Sequence, residues 1–309
     1  MKKPLVIVVL GPTASGKTSL GIEIAEKFGG EIVSADSMQI YENMDIATAK
    51  PSAAELARVR HHLIGFLPMG KSYSVAKYKQ DAIAAIDDII SRGKLPVVVG
   101  GTGFYIDTLV KNTEFFDYES SDIREKLEAR CDQDGIESLF NELKNVDPET
   151  AERLHINDTK RIIRALEVYH LTGKTISEQA EMSHINESRY NWCLIGLRAQ
   201  DRQYLYDRIN RRVDIMLDEG LLKEAESFFE SEISKTAAQA IGYKELKPYI
   251  DNLVTFEETV EKLKMETRRY AKRQLTWFRR NPNINWLDID LLTSDELISK
   301  ACLIVKNER

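Results

Sequence analysis

Two short apolar runs, "LVIVVL" (Leu5 to Leu10) and "LPVVVGG" (Leu95 to Gly101), are continuous rather than alternating and rich in β-branched side chains. A strand that is apolar on both sides is covered on both sides, so these runs predict central strands of a parallel sheet. "EIVSAD" (Glu31 to Asp36), "WCLIGL" (Trp192 to Leu197) and "INWLDI" (Ile284 to Ile289) carry weaker strand patterns. Between them, apolar positions recur at helical spacing over Thr18 to Phe28, Tyr73 to Arg92, Tyr204 to Phe229 and Phe256 to Arg280. Strand alternating with helix predicts a doubly wound α/β core. From 111 to 191 the alternation stops. Helical patterns around Ile123–Cys131, Ile136–Val146, Glu149–Leu154 and Lys160–Leu171 predict a helical insertion domain between two core segments, 1–110 and 192–309.

The first strand runs into Gly11, Pro12, Thr13, Ala14, Ser15, Gly16, Lys17 and Thr18, a G-x-x-x-x-G-K-T sequence that opens a helix. In that strand-to-helix setting the pattern is a P-loop: backbone N–H groups and the positive helix N-terminus converge on phosphate, Lys17 adds charge, and the Thr18 hydroxyl suits magnesium. A kinase would also place a magnesium-binding carboxylate at the end of a later strand. The Leu95 run ends instead in Gly100, Gly101 and Thr102, and Asp36 is the carboxylate that closes a strand near the loop. From the residues alone Asp36 reads equally as a helix N-cap or as a group behind a magnesium ion.

Composition narrows the setting. The chain has 309 residues, 43% hydrophobic and 30% charged, without low-complexity tracts, as in an ordered globular protein of one large domain or two. No apolar run has the length of a membrane span. Three scattered cysteines, Cys131, Cys193 and Cys302, point to neither a disulfide framework nor a zinc site, and a reducing cytoplasm fits them. Net charge is −6, which argues against a nucleic-acid binder unless the basic groups are concentrated. They are: residues 264–280 hold seven basic side chains against one acidic, with Arg268/Lys272 and Arg269/Arg273 at i, i+4 spacing. In the same helix Leu263, Tyr270 and Trp277 recur every seven residues and predict a core-facing stripe. The stretch from Lys111 to Trp192 carries 18 acidic and 11 basic residues.

"GPTASGKT", "DSMQIYENMDIATAK", "GGTGFY", "NDTKRIIRALEVYHLTGKTISE", "DRQYLYDRINRRVDIMLDEGLLKEAE", "QAIGYKEL" and "TRRYAKRQLTWFRR" follow one another in an order and spacing similar to the bacterial tRNA dimethylallyltransferases (tRNA isopentenyltransferases), and the resemblance spans essentially the whole chain. It implies a P-loop NTPase-like fold and transfer of a dimethylallyl group from its diphosphate to the exocyclic amine of the adenosine 3′ of the anticodon, with diphosphate leaving. It further implies Asp36 as general base, Thr102 between the two reactants, Lys17 with magnesium on the diphosphate, and Arg202 and Arg208 directed toward it. Asp36, Ser37, Met38 and Gln39 would meet the target base, with the Gln39 amide suited to an adenine edge. Lys160, Arg161, Ile162, Ile163 and Arg164, and Gln239, Ala240, Ile241, Gly242, Tyr243 and Lys244, match blocks that touch the anticodon stem-loop, although many relatives open the second block with Arg where this chain has Gln239. The insertion's acidic residues would face away from RNA, a monomer would serve one tRNA, and the zinc finger of eukaryotic relatives has no Cys/His pairs here to build it. Three other readings share parts of this pattern: an adenylate prenyltransferase acting on free AMP, ADP or ATP; a P-loop nucleoside kinase; and a nucleotide-gated RNA-binding module. Arg202 and Arg208 also suit a solvated helix face, since their segment is rich in i, i+4 charge pairs.

Overall fold

The computed structural model describes residues 3–113, 122–183 and 188–309. In chain order the elements are β1 (Leu5–Leu10), α1 (Lys17–Phe28), β2 (Gly30–Ser34), α2 (Ala53–Arg58), β3 (His61–His62), α3 (Val75–Ser91), β4 (Leu95–Gly100) and α4 (Gly103–Val110). Then follow α5 (Ile123–Asp134), α6 (Ile136–Val146), α7 (Pro148–Arg153), α8 (Thr159–Thr172) and α9 (Ile176–Ser183). The chain returns through β5 (Asn191–Arg198), α10 (Arg202–Asp218), α11 (Leu221–Glu230), α12 (Tyr243–Ile250), α13 (Phe256–Phe278), β6 (Asn285–Asp288) and α14 (Ser294–Glu308).

The sheet has six parallel strands in the order β3-β2-β4-β1-β5-β6. The two continuous runs are its centre: Val8 pairs with Val98 on one side and Leu194 on the other, and β1 and β4 are buried on both faces. The chain leaves β1 toward β2 on one side and later comes back to β5 on the other. The carboxyl edge of β1 is therefore the point where the winding reverses, the place where open α/β sheets bind ligands. Helices α1 and α14 pack with that sheet through Leu20, Ile22, Ile24, Ala301 and Val305, all buried.

The chain forms two compact units, Met1–Leu109 with Arg189–Arg309, and Val110–Ser188. Residues 114–121 and 184–187 of the expected insertion lie outside the described residues. The second unit has its own core, built on Leu127, Leu139, Leu143, Ile162, Ile163 and Leu166.

Several elements depart from the pattern reading. The helix expected over Tyr204 to Phe229 is two, because Gly220 takes the left-handed conformation (φ 103°) and ends α10. β2 stops at Ser34, short of Asp36, which belongs to the turn beyond. Of the expected stripe on α13 only Leu263 is fully buried. The core row runs Leu263, Ala271, Gln274, Phe278, because a strict seven-residue spacing drifts around a straight helix.

One buried carboxylate ties the far side of the sheet together. Glu31 on β2 is 1% exposed and accepts hydrogen bonds from Arg92 at the end of α3, Lys94 before β4 (2.7 Å) and His62 of β3 (2.7 Å). Arg92 above all, then Lys94 and His62, hold its carboxyl well below the usual carboxylate range. A depressed folded value means stability that is present above the unfolded pKa and lost as pH falls through it. Glu31→Gln is expected to cost about 3 kcal/mol at pH 7, read from urea midpoints, and the gap to wild type should close as pH falls from 5 toward 3. An unchanged gap at pH 3 would refute this account.

Candidate active site

The site is assembled from what each strand delivers at the carboxyl edge. β1 delivers the Gly11–Thr18 loop. Gly16, at φ 89°, sits in a left-handed conformation that a side chain would disfavour, and no side chain caps α1. The amide donors of the first helical turn therefore stay available to an anion. Within the loop, Ser15 N donates to the Pro12 carbonyl and Lys17 Nζ reaches the same oxygen at 3.3 Å. The Ser15 hydroxyl is buried and has no partner. Thr13 behaves otherwise than expected: its amide donates to Gln274 Oε1 at 2.9 Å, so this N–H is already engaged by the protein.

β2 delivers Asp36. Its Oδ1 accepts from the amides of Met38 (2.9 Å) and Gln39 (3.4 Å), closing a side-chain turn that leaves Oδ2 without a hydrogen bond in the described chain. β4 delivers Gly101 and Thr102. The Thr102 amide donates to the Ala35 carbonyl, and its hydroxyl accepts from Ser37 N at 3.0 Å, so Thr102 sets the position of the Asp36 turn. Lys17, Thr18, Asp36 and Gln39 line one cleft together with His61 and the apolar Ile32, Ile64 and Val99. The sequence did not mark His61. Its Nδ1 donates to the Val59 carbonyl (2.7 Å), leaving a buried Nε2 without a partner on the cleft wall.

Charge in the site is unbalanced toward the positive. Burial brings the Lys17 ammonium down to about 8, opposed by Asp36 and assisted by Arg212. Arg212 of α10 is likewise lowered by burial, with Asp36 opposing and Arg208 assisting. Arg208 Nε donates to the Ala14 carbonyl of the loop at 2.8 Å. Arg202 does not reach the loop. It is exposed at the start of α10, six residues from Arg208 and so about a third of a turn off the row that Arg208 and Arg212 share. Arg212 was missed because a basic residue on a charged helix carries no signal of its own.

Other expected contacts are also redistributed. The Gln39 amide donates to the carbonyls of Thr48 and Ala49 (3.1 and 3.0 Å), holding the loop across from it instead of presenting both donors to a base. In the Gln239–Lys244 block Ala240, Gly242 and Tyr243 are buried, and only Gln239 and Lys244 are exposed, with Ile241 between. Tyr243 stacks on Phe228 (4.1 Å) and bonds Glu224, whose carboxylate accepts from three successive amides, Asp45, Ile46 and Ala47, at 2.7–2.9 Å. These buried residues support the loop that follows Gln39 and do not face solvent. In the helical unit Ile162 and Ile163 are core, while Lys160, Arg161 and Arg164 are exposed, Arg161 and Arg164 paired with Asp158 and Glu167. Helix periodicity explains both results: a five-residue block on a helix shows only part of itself to a partner.

On α13, Lys264 pairs with Asp214 and Arg268 bonds Asn210, both toward α10. Lys272, Arg273, Arg279 and Arg280 are exposed, Arg273 over the Tyr270 ring and Arg280 over Trp277. Tyr270 belongs to the site: the Thr102 hydroxyl and the Gln274 amide interact with its phenol, which burial and the charge of Asp36 push far above its ordinary value.

A parallel sheet whose reversal point carries a loop of the phosphate-binding pattern, two partly buried cations and one carboxylate with a free oxygen has the architecture of the P-loop-like α/β proteins. Residues 39–281 match the family model described as IPP transferase. The chain is 50% identical to the tRNA dimethylallyltransferase of Acetivibrio thermocellus, over 96% of this chain and 95% of that protein, and 47% identical to that of Shouchella clausii, over 94% and 92%. Among solved structures it resembles the tRNA isopentenylpyrophosphate transferase of Bacillus halodurans (TM-score 0.74, 41% identity, 99% and 97% of the two chains) and a eukaryotic dimethylallyltransferase acting on tRNA (0.82, 31%, 99% and 79%). The chain belongs to this family of tRNA dimethylallyltransferases.

An anion in the loop favours the charged form of Lys17, whose free-protein value near 8 makes binding weaken as pH rises through that value. Calorimetry with inorganic pyrophosphate at pH 8.5, in two buffers of different ionisation heat, should show more proton uptake by wild type than by Lys17→Met. Equal uptake would refute it.

Proposed function

We propose that this chain transfers the dimethylallyl group of dimethylallyl diphosphate to the exocyclic amine of the adenosine 3′-adjacent to the anticodon in tRNA, releasing diphosphate. The observation that carries this reading is Asp36 Oδ2, without a hydrogen bond and on the same cleft wall as Lys17 and Thr18, where a kinase would need a metal-binding carboxylate instead. The C–O bond to the allylic carbon breaks with its electron pair staying on the diphosphate, and the amine nitrogen forms the new C–N bond. Negative charge grows on the leaving oxygens where the α1 amides, Lys17, Arg208 and Arg212 are gathered, and preorganised donors there act on the transition state. The amine proton goes to Asp36 Oδ2. An ordinary carboxylate suffices as base, because the amine becomes acidic only as the bond forms.

Magnesium fits the residues present. Bound with a diphosphate it takes one or two protein oxygens and fills its shell with phosphate oxygens and water. Thr18, in the first turn of α1 and on the cleft wall, offers such a hydroxyl, and among the described residues no cluster of three His, Cys, Asp or Glu side chains forms a separate site. When bound, the ion would offset the charge that develops on the diphosphate.

The tRNA side rests on the exposed basic groups of α13 and on Lys160, Arg161 and Arg164, which suit an RNA backbone. A target base in a single-stranded loop is splayed out at small cost. One chain per tRNA is the simplest assembly. Free cysteines suit a reducing compartment such as the cytoplasm, and among the described residues no helix is long and apolar enough to cross a membrane.

Asp36→Asn should lower the single-turnover rate about 10²–10⁴-fold with tRNA affinity nearly intact; an unchanged rate would remove Asp36 from the role of base. The reading as a whole is tested by nucleoside mass spectrometry after incubating unmodified tRNA, dimethylallyl diphosphate and magnesium with the protein, AMP and ATP being offered in parallel. Isopentenyladenosine in tRNA is the expected result. Product on the free nucleotide alone would make it an adenylate prenyltransferase.

A further inference from the structure

The phosphate loop and the Gly101–Thr102 turn are nearly ninety positions apart in the chain, and one side chain holds both. Gln274 on α13 is 5% exposed. Its Oε1 accepts from Thr13 N at 2.9 Å and its Nε2 donates to the Gly101 carbonyl at 2.9 Å. The fit leaves no slack: a Cβ placed on Gly101 would lie 2.3 Å from Nε2. One turn earlier on α13, Tyr270 interacts with both the Gln274 amide and the Thr102 hydroxyl, and Thr102 in turn holds Ser37 beside Asp36. The neighbouring inward positions of the helix, Ala271 and Phe278, are apolar core. Filling space at 274 requires only a hydrocarbon. Bonding an amide N–H and a carbonyl at once requires a donor and an acceptor in one planar group, which a primary amide provides.

We infer that Gln274 is a positioning residue for the transfer reaction: it fixes the phosphate loop against the turn that carries Thr102, so that the leaving diphosphate and the base Asp36 are held in register. It touches neither reactant and acts through Thr13 and Gly101. Because α13 also presents Lys272, Arg273 and Arg279 to solvent, the clamp is anchored in the same helix that offers its charge to RNA. The role in catalysis rests on the prenyl-transfer reading; the clamp itself is tested without it.

The experiment compares wild type, Gln274→Met and Gln274→Glu for binding of inorganic pyrophosphate with magnesium, for thermal melting, and for the KM of dimethylallyl diphosphate and of tRNA. Gln274→Met keeps the volume and loses both bonds. It should melt within a few degrees of wild type, bind pyrophosphate about tenfold more weakly and show a similar rise in donor KM, with the tRNA KM within about twofold. Gln274→Glu keeps the acceptor for Thr13 but, when ionised, faces the Gly101 carbonyl with a second acceptor. When protonated it donates there and restores the clamp. Burial raises such a carboxyl, and the Tyr270 phenol beside position 274 stays neutral over this range. The binding defect of Gln274→Glu relative to wild type should therefore shrink as pH falls from 8.5 to 6, and that of Gln274→Met should not. Pyrophosphate affinity equal to wild type in both folded variants, or a Gln274→Glu defect that ignores pH, would overturn the inference. Should Gln274→Met fail to fold, the pH profile of Gln274→Glu decides. Wild type that binds pyrophosphate yet makes no isopentenyladenosine would sink the reaction proposed above, and the clamp would still be judged by the same binding comparison.

Discussion

Two partly buried cations beside a single carboxylate are the constraint around which this molecule is arranged. Lys17 and Arg212 both have their charged forms disfavoured by burial, and Asp36 offsets only part of that cost. Positive charge held out of water is unfavourable unless an anion completes it. Every element at the reversal point of the sheet contributes to keeping it there. β1 and α1 aim the loop, α10 brings Arg208 onto the Ala14 carbonyl, and β4 ends in small residues so that α13 can approach. The folded state therefore holds an excess of positive charge at the carboxyl edge of the sheet.

The acceptor side is built by a different principle. Asp36 sits in a turn of its own making, Thr102 holds the next residue, and Gln39 secures the chain ten positions further on. This segment is a long connection anchored by the buried Ile40, Tyr41 and Met44, and hydrogen bonds fix the polar residues between those anchors. Two remote helices complete the support, since Glu224 of α11 grips the amides of residues 45–47 and Tyr243 of α12 holds Glu224. A carboxylate placed on a loop is thereby given the fixity of one placed on a strand.

What could be read from the chain, and what could not, follows from these two modes of construction. The central strands were legible because burial on both faces writes an unbroken apolar run, Lys17 and Thr18 because their glycine pattern joins a strand to a helix, and Asp36 and Thr102 because each stands two residues past a strand. The short α2 and β3 offer too few residues for any period to show, and α12 carries an internal Pro248 that argues against a helix. α14 did leave a sign, the Thr293–Glu296 capping box at its start. Gln274 and Arg212 were hidden for another reason. On long charged helices a polar residue facing inward looks the same in sequence as one facing water, and only the neighbours it meets distinguish them. The same ambiguity ran the other way at Ile162, Ile163, Ala240 and Tyr243, where a block matched as a whole proved to be half interior.

The Glu224 cradle has a wider meaning. Successive backbone amides pointing at one spot form a receptor for a small oxyanion, and residues 45–47 and the uncapped start of α1 are two places that offer them. The first is occupied from within by a tethered carboxylate whose effective concentration no dissolved phosphate can match. The second is left to the solvent. By plugging one receptor with its own side chain, the protein ensures that, of the two, a free anion has a single address.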